Sequence, residues 1–160
     1  MNVTDRAVAL RNLAASPSPA LFVGPPGSGK AQAAHEIARA RGVTLRRVDV
    51  GKLVSRYIGE TEKTIDRLFD DAQRDGAVLV FDEADALFGK RTEVKDAHDR
   101  YANIEINYLL AKIEAHRGLA ILTTNSRDAI DPAVLCALSV VIEFHAPPDP
   151  RNSGGNSGTG

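Results

Sequence analysis

Residues 24 to 31 read Gly-Pro-Pro-Gly-Ser-Gly-Lys-Ala, and their types and spacing suit the capture of a polyphosphate. The pattern Gly-x-x-x-x-Gly-Lys is complete from Gly24 to Lys30, with Pro25, Pro26, Gly27, Ser28 and Gly29 between its ends. The glycines let the backbone curl with its N–H groups turned inward, which makes a concave nest for anions. Lys30 adds a mobile positive charge for the β- and γ-phosphates. The next position ordinarily carries Ser or Thr, whose hydroxyl holds Mg²⁺ against the nucleotide. Here it is Ala31, a methyl group with no lone pair. The loop therefore promises nucleotide binding and puts efficient hydrolysis in doubt.

A second signature is Val78-Leu79-Val80-Phe81-Asp82-Glu83. An apolar run delivers two carboxylates to its end, where ligands sit in open α/β sheets. Asp82 would orient Mg²⁺ or its waters. Glu83 would orient and deprotonate an attacking water. An acidic pair after a strand can equally cap the following helix. A third is Thr123-Thr124-Asn125: the Asn125 amide at a strand end could hold the water or the γ-phosphate, or serve only as a turn residue.

Positioning these groups requires strands that end at one place. Val3 to Ala14 carries apolar residues at helical spacing, and Ser16-Pro17-Ser18-Pro19 ends it. Leu21–Gly24 reads as a buried strand and the segment from Ala31 to Arg41 as a helix stopped by Gly42, its N-terminus facing the phosphates. Leu45 to Val50 reads as a strand, with Arg46 and Arg47 suggesting a solvated position near a sheet edge. Thr61 to Arg74 is amphipathic, with Ile65, Leu68, Phe69 and Ala72 on one face. Ala77 to Phe81 reads as a central strand, Asp99 to His116 as a long helix, and Gly118 to Thr123 as the next strand. Asp128 to Ala137 reads as a short helix and Val140 to Phe144 as a last strand. Such alternation predicts an α/β domain, a parallel sheet covered by helices.

The rest of the sequence bounds rather than directs. Its 160 residues suffice for one domain with a real core. Twenty basic and 21 acidic residues leave a net charge of −1, which gives no argument for nucleic acid or a membrane surface as partner. No run approaches a transmembrane helix, and Met1 to Ala15 lacks a signal-peptide core, so a cytoplasmic location is expected. Cys136, the single cysteine, is expected to be a small buried apolar residue. Residues 148–160 open with Pro148-Asp149-Pro150 and after Arg151 are Asn, Ser, Gly and Thr alone, a composition expected of a flexible tail. The division expected is a helix and linker at 1–19, a core at 20–147 and that tail.

Together these motifs resemble the AAA family of ring-forming ATPases, members of the P-loop NTPases. Gly24–Lys30 is similar to the family's Walker A loop, Val78–Glu83 to its Walker B strand, and Asn125 to its sensor-1 position. The wording of Phe81 to Phe88 after the strand is also similar, and Lys90 to Arg100 looks like a group of bacterial members. The resemblance runs from about Ala20 to Phe144. It implies a three-layer domain with a mostly parallel five-stranded sheet in the order 5-1-4-3-2, ATP and Mg²⁺ as cofactors, and hydrolysis coupled to work on a polypeptide client in a homo-oligomeric ring, a hexamer in the family. Arg56-Tyr57-Ile58-Gly59-Glu60 matches the first pore loop, in which Tyr57 and Ile58 beside Gly59 would grip the client, although the same pair could pack on the core. Gly89 to Asp96 would be the second pore loop, or an ordinary charged face.

The departures from that pattern matter as much. The family closes this region with arginines that reach the neighbouring subunit's site, and here Cys136, Ala137 and Ser139 stand in their places. The resemblance also implies a helical lid with a second sensor arginine after Phe144, which residues 145–160 do not match. The sequence thus leaves two kinds of function open: an ATPase core, or a chain deficient in hydrolysis, either an ATP-binding scaffold or a truncated, non-functional fragment. A P-loop small-molecule kinase fits less well, because the resemblance at Tyr57 and at Val78–Glu83 argues against it.

Overall fold

The structure is a computed structural model and describes residues 3–49, 60–89 and 97–146. Twelve elements alternate along it. Helix α1 is Val3–Ala15, strand β1 Ala20–Val23, helix α2 Lys30–Arg41 and strand β2 Leu45–Val48. Helix α3 is Glu60–Asp75, strand β3 Val78–Phe81, a short α4 Asp85–Phe88 and helix α5 Ala97–Ala115. Strand β4 is Ala120–Thr124, followed by a 3₁₀ turn at Arg127–Ala129, helix α6 at Pro132–Ala137 and strand β5 at Val140–Glu143.

The five strands form one sheet in the order β2-β3-β4-β1-β5. All four pairings are parallel, so the sheet expected to be mostly parallel is wholly so. Parallel strands need crossovers over a face, which covers the sheet on both sides. The apolar runs fit that demand: β1, β3 and β4 are buried at every position. Phe22, Val78, Val80, Ile121 and Ile142 pack with Leu13 of α1 and Ala33, Ala34, Ile37 and Ala38 of α2. On the other face Leu21, Leu79, Phe81 and Leu122 pack with Ile65, Phe69 and Ala72 of α3 and Ile106, Leu109 and Ile113 of α5. Three layers result, as expected. On the outer side of α3 and α5, Asp66 takes hydrogen bonds from the Tyr108 hydroxyl and the Lys112 ammonium. These hold the Asp66 carboxyl below its ordinary pKa.

Three readings of the sequence need correction. The helix expected over Asp128–Ala137 is split, because Ile130 is extended and Asp131, with ψ of 131°, is not helical. Asp131 then caps α6 by accepting from the Ala133 amide at 2.9 Å, with Pro132 in the first turn. Cys136 is exposed, because α6 turns Val134 inward and a residue two positions on faces away. The strand from Leu45 is shorter than expected and ends at Val48. The expectation for Arg46 and Arg47 fits, since β2 is an edge strand.

Candidate nucleotide-binding site

Strands β3, β4 and β1 are neighbours, and the segments that follow them carry the three sequence signatures. After β1 the chain turns through Pro25 and Ser28, the Ser28 amide donating to the Pro25 carbonyl at 3.2 Å. Gly27 and Gly29 have φ of 76° and 97°, the left-handed region that opens a nest of amides. Gly29 is the N-cap of α2 and offers no side-chain cap, which leaves first-turn N–H groups for an incoming anion. Ser28 Oγ is buried and finds no partner among the described residues. Gly24 serves a different purpose. A Cβ there would lie 2.6 Å from the Phe144 carbonyl oxygen and 2.7 Å from Ser28 Oγ, so only glycine lets the loop lie against the end of β5.

Lys30 ties the loop to the neighbouring strand. Its ammonium donates to the Gly24 carbonyl, to the Thr124 carbonyl at 3.1 Å and to Asn125 Oδ1 at 3.0 Å. The Gly24 amide in turn donates to the Thr124 carbonyl at 3.0 Å. Burial lowers the Lys30 pKa from the ordinary lysine value, and the charges of Asp82 and Asp85 oppose that shift. Lys30 and Asn125, far apart in sequence, are thus in contact, and the Asp82 carboxylate is close enough to act on Lys30.

The two carboxylates after β3 differ. Asp82 Oδ1 accepts the Thr123 hydroxyl at 3.0 Å. Its Oδ2 accepts Arg47 Nε at 2.7 Å and the same guanidinium's terminal nitrogen. Glu83 is exposed and has φ of 55°, uncommon for a residue with a side chain. Thr123 holds it there: its Oγ1 accepts the Glu83 amide at 3.3 Å and its carbonyl accepts the Ala84 amide at 2.8 Å. Residues 82 to 84 are therefore all fastened to one threonine. One residue on, the Thr124 hydroxyl lies 3.2 Å from Asp85 Oδ1.

Sequence reasoning missed Arg47, Thr123 and Asp85. Arg47 carried only an edge signal, and its reach to Asp82 is a matter of register: Arg47 pairs with Val80, two residues before Asp82 and on the same face. Thr123 was visible in its motif without a role. Ala31 lies exposed in the first turn of α2. A pocket of about 260 Å³ opens beside Ser28 and Gly29, with Arg6, Leu10, Gln32 and Phe144 among its walls. Tyr57, Ile58 and Gly59 lie outside the described residues, as does all of the second pore-loop stretch after Gly89.

A model of the ATPase family associated with various cellular activities (AAA) matches residues 20–146. The chain belongs to the AAA family of ATPases. An uncharacterized AAA family ATPase of Sinorhizobium fredii is 36% identical over 129 residues, 79% of this chain and 38% of that protein. The proteasome-activating nucleotidase of Methanococcus vannielii is 36% identical over 138 residues, 82% of this chain and 34% of its own length. A vesicle-fusing ATPase of Arabidopsis thaliana is 34% identical over 143 residues, 79% of this chain and 19% of that protein. This AAA chain therefore spans well under half the length of each of these relatives. Among its described residues no helix is long and apolar enough to cross a membrane.

Proposed function

We propose that this AAA chain binds ATP in the loop Gly24–Lys30 and serves as an ATPase core, acting on a polypeptide client within a homo-oligomeric ring, with turnover limited by Ala31. The proposed unit is 20–147, flanked by 1–19 and 148–160. The observation that carries the reading is the Lys30 ammonium, which meets the Gly24 and Thr124 carbonyls and the Asn125 side chain at the mouth of the glycine nest. A triphosphate fits that surround: Ser28 Oγ is a buried hydroxyl with no partner among the described residues, and Gly29 gives the α2 N-terminus no side-chain cap. The pocket beside Ser28 and Gly29 is space open to the nucleoside.

A Mg²⁺ ion also fits, with fewer protein ligands than usual. It commonly takes one or two carboxylates, substrate phosphates and several waters, and Asp82 can supply the carboxylate. When bound, it would neutralise charge on the β- and γ-phosphates. In this assignment Gly27, Gly29 and Lys30 bind phosphate, with Gly24, Pro25, Pro26, Ser28 and Ala31 shaping the loop. Glu83 accepts the proton of the attacking water, and its exposed carboxylate suits that task. Asn125 senses the γ-phosphate through an amide already bonded to Lys30. The polypeptide client rests on the Tyr57-Ile58-Gly59 resemblance, and the name of the proteasome-activating relative supports it.

Ala31 favours a second reading, a scaffold that binds ATP without hydrolysing it. Steady-state phosphate release, measured beside equilibrium ATP binding, separates the two. The expected result is saturable ATP binding, slow turnover, and faster turnover in Ala31→Thr. Tight binding with no turnover in either protein supports the scaffold. Absence of ATP binding overturns both.

A further inference from the structure

We propose that Arg47 is a positioning residue that shares Asp82 with the divalent cation and thereby sets how strongly nucleotide binding depends on Mg²⁺. This rests on the ATP-site reading above. Both oxygens of Asp82 are engaged by the protein: Oδ1 by the Thr123 hydroxyl at 3.0 Å, and Oδ2 by two nitrogens of Arg47, Nε at 2.7 Å. The guanidinium carries its charge at every working pH, so Asp82 is neutralised without metal. Ala31 offers no oxygen as a second ligand. A cation bound at Asp82 must displace Arg47 from Oδ2, reach the carboxylate through water, or take the remaining lone pair of Oδ1, where the guanidinium has already neutralised the charge that would attract it. Displacement is open to this side chain. It projects from the edge strand β2, and 60% of it is exposed, against 28% for Asp82. Its neighbour Arg46 is engaged elsewhere, with Asp75 at the C-terminus of α3.

The consequence is a site in which a guanidinium supplies part of the positive charge that metal would otherwise bring. ATP then binds almost as well without Mg²⁺ as with it. Removing the guanidinium reverses this, because the freed carboxylate becomes a cation ligand and an unneutralised anion near the phosphates.

The test is calorimetric titration of the full chain with ATP, once in EDTA and once in millimolar Mg²⁺, and the readout is the ratio of the two dissociation constants. The wild-type ratio is expected below about threefold, and Arg47→Ala raises it to about tenfold or more, the size of one half-exposed charge-assisted contact. Arg47→Lys falls between them. Arg46→Ala keeps the wild-type ratio and controls for a general loss of positive charge on β2. Thermal melts confirm that each variant folds, as the exposure of both arginines leads one to expect. An Arg47→Ala ratio equal to that of wild type overturns the proposal while leaving the ATP site standing. Absence of saturable ATP binding in the wild-type chain removes the site itself, and this proposal with it.

Discussion

Replacing Thr123 with valine removes one oxygen and keeps the shape of the side chain. That oxygen is 3.0 Å from Asp82 Oδ1 as donor and 3.3 Å from the Glu83 amide as acceptor, in a residue 5% exposed. A hydrogen bond to a charged group contributes about 1.5–3 kcal/mol, and the Glu83 amide, part-buried on an exposed residue, loses an ordinary bond of about 0.5 kcal/mol. The methyl gained offsets part of this, by about 0.8 kcal/mol. A net loss of about 1–3 kcal/mol is expected, which in a domain of this size lowers the melting temperature by roughly 2–4 °C per kcal/mol. The Ala84 bond to the Thr123 carbonyl survives, since it is made by main chain. The segment 82–84 is therefore loosened, not released, and Glu83 loses one of the bonds that hold its left-handed backbone. Chemical denaturation of wild type, Thr123→Val and Thr123→Ser provides the assay. Serine keeps the hydroxyl and is expected to recover at least half of the loss. If valine is as stable as wild type, or serine as unstable as valine, Thr123 does not anchor the carboxylates and the reasoning fails.

Other expectations follow from single contacts. Gly24→Ala forces the loop off the end of β5, and destabilisation of about 1–3 kcal/mol is expected from overpacking; Gly27→Ala meets open space and costs only the left-handed backbone penalty, about 1–2 kcal/mol, so chemical denaturation showing Gly27→Ala to be the less stable of the two would contradict the distinction drawn between them. His116 is buried against Phe69, neither ring nitrogen has a partner among the described residues, and burial lowers its pKa. Its folded form thus binds a proton less readily than its unfolded form, and it removes stability as pH falls from about 6.5 toward the lowered value. Urea melts across that window are expected to show wild type losing stability relative to His116→Leu, and parallel pH profiles would refute this. Lys30, with its pKa below the ordinary lysine value, is expected to lose its charge and its hold on ATP at a lower alkaline pH than a free lysine. A titration of ATP affinity against alkaline pH, with no decline until the ordinary lysine range, would show the opposite.

Much of the fold was legible because burial on both faces leaves a plain mark. Ala20–Val23, Val78–Phe81 and Ala120–Thr124 are strands without alternation, as central parallel strands must be. Their order in the sheet was not legible from periodicity and came through the resemblance. The glycine loop was read from residue types alone, since positive φ at Gly27 and Gly29 is a local property. The contacts of the site were harder to read. Arg47 meets Asp82 through the register of β2 on β3, which no local pattern encodes. Thr123 acts through a hydroxyl that in sequence is indistinguishable from any strand threonine. The break at Ile130–Asp131 was concealed by apolar residues that suit a helix, although Asp131-Pro132 is a cap signal in its own right. Cys136 was misjudged because composition says where cysteines usually lie, whereas the turn of α6 says where this one does.

The central claim is that the nest behind Lys30 holds the phosphates of ATP, and equilibrium titration of the folded chain with ATP, wild type beside Lys30→Ala, tests it most directly. Losing one charge-assisted contact of about 1.5–3 kcal/mol is expected to weaken binding by roughly ten- to 150-fold. Saturable binding of equal strength in both proteins, or none in the wild type, would contradict it.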